Sequence, residues 1–220
     1  MSEQIDIGVL SESFNEFLSA EWPREKAVAY ARGDATYAAD LWAQVSALGW
    51  PALSVSEAMG GLGIGTQATA ALHEAVGYAA APLPLLGTML AVALLEAAGS
   101  GAQKELLLSG LADGSTRACV SQTSDTPLIV DGQTLNVTVV DVLDAPVASM
   151  LFLRAERAGK AVWLAIPADA QGVSTERALL ADTTRSIGSV ALNNVSVDSV
   201  HILVPADPVA LDNELLRLAA

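Results

Sequence analysis

Gly60, Gly61, Gly63 and Gly65 fall between the short apolar run "PALSV" and the helix-like segment "TQATAALHEAVGY". A strand, a glycine loop and a helix N-terminus in that order can cradle a phosphate, because unpaired N–H groups and the helix dipole then face the anion. Three features of this stretch speak against that chemistry. The spacing is Gly-Gly-x-Gly-x-Gly rather than G-x-G-x-x-G, the following segments are again helical, and no acidic residue closes a second strand to take a ribose. No Gly-Lys-Ser/Thr occurs either, which removes a Walker-type loop. The remaining role for these glycines is a sharp turn and close packing between two helices.

Other reactive side chains are sparse. His73 stands beside Glu74 in a helical segment and His201 follows a strand, neither with a second ligand at metal-binding spacing. Cys119 lies in an apolar strand with no paired histidine and reads as a small buried hydrophobe. Arg185 in "DTTR" has Asp182 as its nearest carboxylate. Neither Gly-x-Ser-x-Gly nor His-x-x-x-His is present.

The elements that must position these residues change period part-way along the chain. Up to Gly110 the pattern is helical. Phe14, Phe17 and Leu18 share one face, and Tyr37, Leu41, Trp42, Val45 and Leu48 share another, with Asp34 as the expected cap and Gly49 as the stop. Thr66 is placed to cap the helix after the glycines. "LLGTMLAVALLEAAGS" is apolar nearly all round and predicts a central buried helix, followed by a shorter one closed by Gly110. Beyond Gly114, "TRACVSQ", "PLIVDG", "TLNVTVVDVL", "VASMLFLRAE", "KAVWLAIPA" and "GSVALNNVSV" are short, rich in Val, Ile and Leu, and separated by turn signals. Strands spaced this way without helices between them predict an antiparallel barrel or sandwich. From Pro208 the chain turns helical again, with Leu211, Leu215 and Leu218 in a stripe that must pack on something or leave the end to associate or fray. The expected fold class is thus α+β and multidomain: a helical domain over 1–114, a β-domain over 115–206, and the start of a further helical domain over 207–220.

Bulk composition bounds the function. The 220 residues are 52% hydrophobic and 16% charged, enough apolar material for a large core. A net charge of −14 excludes nucleic acid as an expected partner, since phosphate neutralisation needs clustered lysine and arginine. The most apolar window, 79–98, holds Pro82, Pro84, Gly87 and Glu96 and reads as a buried helix rather than a membrane span. A single cysteine and an N-terminus without a basic start or apolar core make a reducing, cytoplasmic setting the expectation.

In order, "LWAQVSALGWPALSVSEAMGGLGIG", "HEAVGYAAAPLP" and "ADTTRSIGSVALNNVSVDSVHIL" resemble the acyl-CoA dehydrogenase family. The first is similar to the signature of its N-terminal helical domain and the last to the end of its middle β-domain. The resemblance implies an N-terminal helical domain, a β-barrel-like middle domain and a C-terminal helical domain that would follow Ala220. It also implies FAD between the last two, shared with a neighbouring subunit, and an oligomer. The implied reaction is α,β-dehydrogenation of an acyl-CoA thioester: a glutamate removes the α-proton and the β-hydride goes to flavin.

The sequence departs from the family at the flavin. The "TEP-GSD" segment is replaced by "VSQTSD", so that Val120, Ser121, Gln122, Thr123 and Ser124 are the implied cofactor contacts, with Gln122 in place of the acidic residue. The family's "W-I-T" strand corresponds to "VVDVLDA", putting Asp141 and Val142 where an aromatic wall is expected; Val142 is the implied contact there. "LDNELLRLAA" places Glu214 where some members carry the catalytic base, though a first-turn glutamate is also favoured by the helix dipole alone. Arg185 has a contact to a CoA phosphate as its second reading. Two functions follow: an FAD-dependent acyl-CoA dehydrogenase chain acting on fatty or steroid side-chain thioesters in a homo- or hetero-oligomer, or a non-catalytic structural subunit of a heteromeric acyl-CoA dehydrogenase. A flavin mono-oxygenase on the same fold is a third reading that no residue favours.

Overall fold

The computed structural model describes residues 6–59, 61–121, 128–130, 132 and 134–219. Six helices come first: α1 (Ile7–Glu21), α2 (Arg24–Ala31), α3 (Ala39–Ala47), α4 (Thr66–Tyr78), α5 (Leu85–Ala98) and α6 (Gly101–Ala112). Seven strands follow: β1 (Ala118–Ser121), β2 (Thr134–Leu143), β3 (Met150–Arg157), β4 (Lys160–Pro167), β5 (Val173–Arg177), β6 (Ile187–Ser196) and β7 (Ile202–Leu203), and then helix α7 (Pro208–Ala219).

Local chemistry sets the helix ends. The Asp6 carboxylate accepts from Gly8 N at 2.8 Å and starts α1. Phe14 and Phe17 of α1 both meet the Trp50 ring edge-on, each at 5.3 Å. Helix α3 starts later than the expected cap at Asp34, because Ala38 N donates to Pro82 O at 3.1 Å and ties residues 34–38 to the α4–α5 connection. Gly49 stops α3 in the left-handed region, as its position suggests. Gly65, not Thr66, occupies the cap of α4, also at positive φ. Helix α6 runs past Gly110 to Ala112, and the chain then turns at Gly114. The glycine stretch is structural: a Cβ on Gly61 would lie 2.2 Å from Val55 O, so this loop folds directly onto the turn before it.

The strands form two sheets, ordered β1-β3-β4-β7 and β2-β6-β5, packed face to face as a sandwich rather than a closed barrel. All pairings are antiparallel except β1 with β3, which run parallel. Where a strand was expected, the described residues of "PLIVDG" contribute a bridge from Ile129 to Glu156. Strand β5, "VSTER", has no counterpart among the expected strands. Its alternating half-buried and exposed residues sit on the sheet edge, and its polar residues hide the period. Strands β3 and β4 are apolar almost throughout because both faces are covered. Leu151, Leu153, Val162 and Leu164 face the second sheet, while Phe152, Trp163 and Ala165 face the helices.

That outward face creates a shared core. Phe152 and Trp163 pack with Leu94, Leu95, Leu108, Leu211 and Leu215, so one apolar cluster joins α5, α6, the sheet and α7. The stripe on α7 is therefore covered within the chain, correcting the expectation that it would associate or fray: Leu211 and Leu215 are buried and Leu218 packs beside them. Asp212 adds a paired contact, with its Oδ2 2.9 Å from both Nε and a terminal nitrogen of Arg154. Gln103 of α6 donates from Nε2 to Val200 O and Ile202 O, fixing the β7 end of the sheet.

The tightest junction lies between α5 and β1. A Cβ on Gly87 would meet Ala118 O at 2.4 Å. The neighbouring Thr88 is fully buried; its hydroxyl donates to Pro84 O at 2.7 Å and accepts from Ala118 N at 3.2 Å. The helix thereby covers the free edge of β1, whose backbone would otherwise be unpaired there. We expect Gly87→Ala to lower stability by roughly 1–3 kcal/mol, although alanine is the better helix former. Gly77→Ala in α4, where an added Cβ meets nothing within 4 Å, should instead raise it by up to about 1 kcal/mol. Thermal unfolding of the two variants checks the pair; equal shifts of one sign would contradict this packing.

Candidate functional site

A cleft of about 800 Å³ opens between the helices and the loops of the β-domain. Three helix faces converge on it. Helix α4 presents Thr69, His73, Val76 and Gly77, spaced as one helical stripe; α5 presents Leu86, Met89, Leu90 and Ala93 in the same way; α7 presents Glu214, Arg217 and Leu218. The fourth wall is made by Leu143 and Asp144 at the end of β2 and by Asp182, Thr184, Arg185 and Ser186 before β6. The α5 wall is apolar from Leu86 to Ala93, with Glu96 at its end, and the other walls carry the remaining charges.

The charged groups are mostly engaged. Glu96 accepts from Ser56 N at 2.9 Å. Asp182 accepts from Thr184 N at 2.9 Å and from its hydroxyl, which with Arg185 holds its carboxyl below the usual range. The expected pairing of Arg185 with Asp182 is present but loose, at 4.0 Å and on an exposed surface. Glu214 is paired through both oxygens with Arg217, one turn along α7, and that hydrogen-bonded pairing keeps its carboxyl below the usual range. His73 lines the cleft, and burial pushes its pKa down, so it is neutral at pH 7.

Asp144 is the exception. It is 7% exposed, in the left-handed region that aspartate tolerates better than most residues, and burial pushes its carboxyl up to about 7 against the opposing pull of Arg185. Its backbone N–H donates to Ser186 O. Ser186 is 4% exposed and its Oγ makes no hydrogen bond among the described residues.

Of the described site residues implied by the family resemblance, the structure brings only Glu214 and Arg185 into the cleft, where they are joined by His73 and Asp182, which the sequence also singled out. Val120 packs its side chain toward the helix-facing core, and Ser121 is half-buried at the end of β1. Gln122, Thr123 and Ser124 lie outside the described residues. Val142 is 2% exposed between the two sheets, which leaves its backbone alone to touch a cofactor. Cys119 is buried as expected, with its thiol pushed up to about 12 by burial. His201 accepts at Nδ1 from Asp198 N in a local cap and is not among the residues lining this cleft. Among the described residues no group of three or more His, Cys, Asp or Glu is placed to hold a metal, and no helix is long and apolar enough to cross a membrane. Asp144, Ser186 and the α5 stripe have no counterpart in the sequence reading, which gave His73 no part in a cleft. The i, i+4 spacing of Thr69 and His73 was the one signal available for this wall.

Comparison with known proteins fits this geometry. Residues 8–115 match the model "Acyl-CoA dehydrogenase, N-terminal domain". The helical part of the chain belongs to the acyl-CoA dehydrogenase family. The fold of the whole chain is that of the family's helical and β-domains. It is similar to the ChsE4-ChsE5 complex from Mycobacterium tuberculosis at a TM-score of 0.85 and 20% identity, over 97% of this chain and 60% of that one. It is similar to a Tcur3481-Tcur3483 steroid ACAD variant at 0.80 and 24%, over 97% and 60%. A glutaryl-CoA dehydrogenase from Mycobacterium smegmatis in complex with FADH2 gives 0.79 and 17%, over 98% and 60%. The chain thus spans about 60% of the length of these dehydrogenase chains. It matches no curated protein sequence.

The flavin implied by this fold can be tested against the residues present. On β2 the register shifts between Val139 and Val142, Asp141 adopts a positive φ, and its carboxylate is exposed. No aromatic ring stands on that strand to stack on an isoalloxazine, and the neighbouring Val142 side chain is sealed in the core. The described residues do not fit a flavin wall.

The buried Asp144 gives a pH test. Its folded pKa lies above the ordinary value of 3.8, so the folded state binds this proton more tightly than the unfolded chain. The stability it contributes is complete below pH 3.8 and lost as pH rises through about 7. Asp144→Asn, which also tolerates positive φ, should be close to wild type at pH 4 and more stable than it at pH 8, by at most roughly 4 kcal/mol. Denaturant unfolding at the two pH values measures this; a constant offset would contradict a buried, destabilised carboxylate.

Proposed function

We propose that this chain is a subunit of an oligomeric acyl-CoA dehydrogenase assembly and contributes the cleft that receives the acyl portion of a CoA thioester. The observation that carries this reading is the convergence of the α4, α5 and α7 faces on one cleft of about 800 Å³, with an apolar stripe on α5 that suits an alkyl or fused-ring chain. Arg185, loosely paired and at the exposed side, is the cation available to a CoA phosphate. The assembly carries out α,β-dehydrogenation, with FAD and the base supplied mainly by acyl-CoA dehydrogenase-like partner chains, because the described residues of this chain form no flavin wall. A fatty acyl or steroid side-chain thioester is the substrate class, the latter supported by likeness to a steroid ACAD. We place the assembly in the cytoplasm.

A second reading gives this chain its own catalysis, with Val120, Ser121, Gln122, Thr123, Ser124 and Val142 around FAD and Glu214 as base. It is favoured by one observation, that Glu214 does line the cleft. It requires the Glu214 carboxylate to leave Arg217, because an arginine-held carboxylate is a weak base at pH 7.

Titration calorimetry with decanoyl-CoA tests the first reading. Wild type should bind it, and Gly77→Leu, which fills open space in the α4 wall, should weaken binding tenfold or more without lowering thermal stability. Equal binding by both would sink the cleft assignment. An absorbance spectrum after FAD addition and desalting separates the readings. We expect a colourless chain; a retained flavin band with turnover abolished in Glu214→Gln would establish the second.

A further inference from the structure

We propose that Asp144 and Ser186 form a hydrogen-bonding subsite in the β-domain wall of the cleft, which takes a hydroxyl group carried on the acyl portion of the ligand. The inference deepens the reading of the cleft as an acyl site and rests on it.

Two observations point to a ligand group. Ser186 is more than nine-tenths buried, lines the cleft, and has a hydroxyl without a partner. A buried hydroxyl left unmade is costly, and native structures rarely keep one without a use. Because its present rotamer makes no bond, turning about χ1 toward the cleft forfeits none. Asp144, joined to Ser186 by the backbone bond from its N–H to Ser186 O, is equally buried and lines the same wall. No hydrogen bond from a described residue reaches its carboxyl group; Arg185 is the charge acting on it there. Two buried residues that line one cavity and are joined through their backbones therefore carry polar side chains with no hydrogen bond among the described residues.

The chemistry of the pair selects the occupant. A serine hydroxyl both donates and accepts, and a carboxyl group accepts when ionised and donates when protonated. A ligand hydroxyl also does both, so it satisfies the pair in either state. An alkyl chain would leave both groups unpaired, and a ligand carboxylate would face Asp144 directly. The opposite wall, made by Leu86, Leu90 and Ala93 of α5, is apolar. The cleft is thus built for an acyl body that is apolar on one side and hydroxylated on the other.

The test titrates the chain with decanoyl-CoA and with a series of hydroxydecanoyl-CoA thioesters in which the hydroxyl is walked along the chain. At least one isomer should bind about fivefold tighter than decanoyl-CoA. Ser186→Ala, which removes no protein hydrogen bond, should abolish that advantage without weakening decanoyl-CoA binding or lowering thermal stability. Asp144→Gly, compatible with the positive φ, should reduce it as well. If decanoyl-CoA binds and no isomer gains, or if the gain survives both substitutions, the subsite is wrong while the acyl cleft stands. If no thioester binds, the cleft reading fails and the subsite falls with it.

Discussion

The close approach of α5 to β1 is the constraint on which the rest of the molecule depends. A glycine at 87 lets the helix backbone come within contact of the Ala118 carbonyl, and Thr88 supplies the hydrogen bond that the edge strand lacks. Because of that approach, the outward face of β3 and β4 can bury Phe152 and Trp163 against α5 instead of against solvent. The helical and β parts then share one apolar cluster, and α7 docks into it through Leu211 and Leu215.

The cleft is the geometric remainder of that packing. Leu94 and Leu95 of α5 lie inside the shared core, and Leu86, Leu90 and Ala93 at its margin also line the cleft. Dispersion and burial hold the walls, and the few polar groups are fixed by local bonds such as Glu96 to Ser56 N and Asp182 to Thr184. The Ser186 Oγ, one of five buried side-chain atoms without a hydrogen-bond partner among the described residues, sits in the cleft wall beside the buried Asp144. Arg217 draws Glu214 along α7 and weakens it as a base, which agrees with the loss of an aromatic wall on β2. Both features weight the account toward a binding subunit.

Much of the fold was legible because it rests on period. The buried character of "LLGTMLAVALLEAAGS" and the apolar runs of β3 and β4 name the elements that form the core. Strand β5 was hidden because an edge strand such as "VSTER" needs little apolar surface. The cap at Asp34 misled because a long-range bond from Ala38 N to Pro82 O outcompeted a local one. The site was less legible for a related reason. An all-round apolar helix gives no hint of which stripe faces a cavity, and Asp144 and Ser186 meet only through strand ends 42 positions apart in sequence. Glu214 was found through family resemblance, yet its partner Arg217 lies three residues away and needed no structure to suspect.

The most direct test of the acyl cleft is photo-crosslinking with an acyl-CoA thioester carrying a diazirine on its alkyl chain, followed by peptide sequencing. The account requires the label to fall on 69–77 of α4 and 86–93 of α5, and to be competed away by decanoyl-CoA. Label spread over the outer surface, or confined to the β2–β6 sheet, would contradict it.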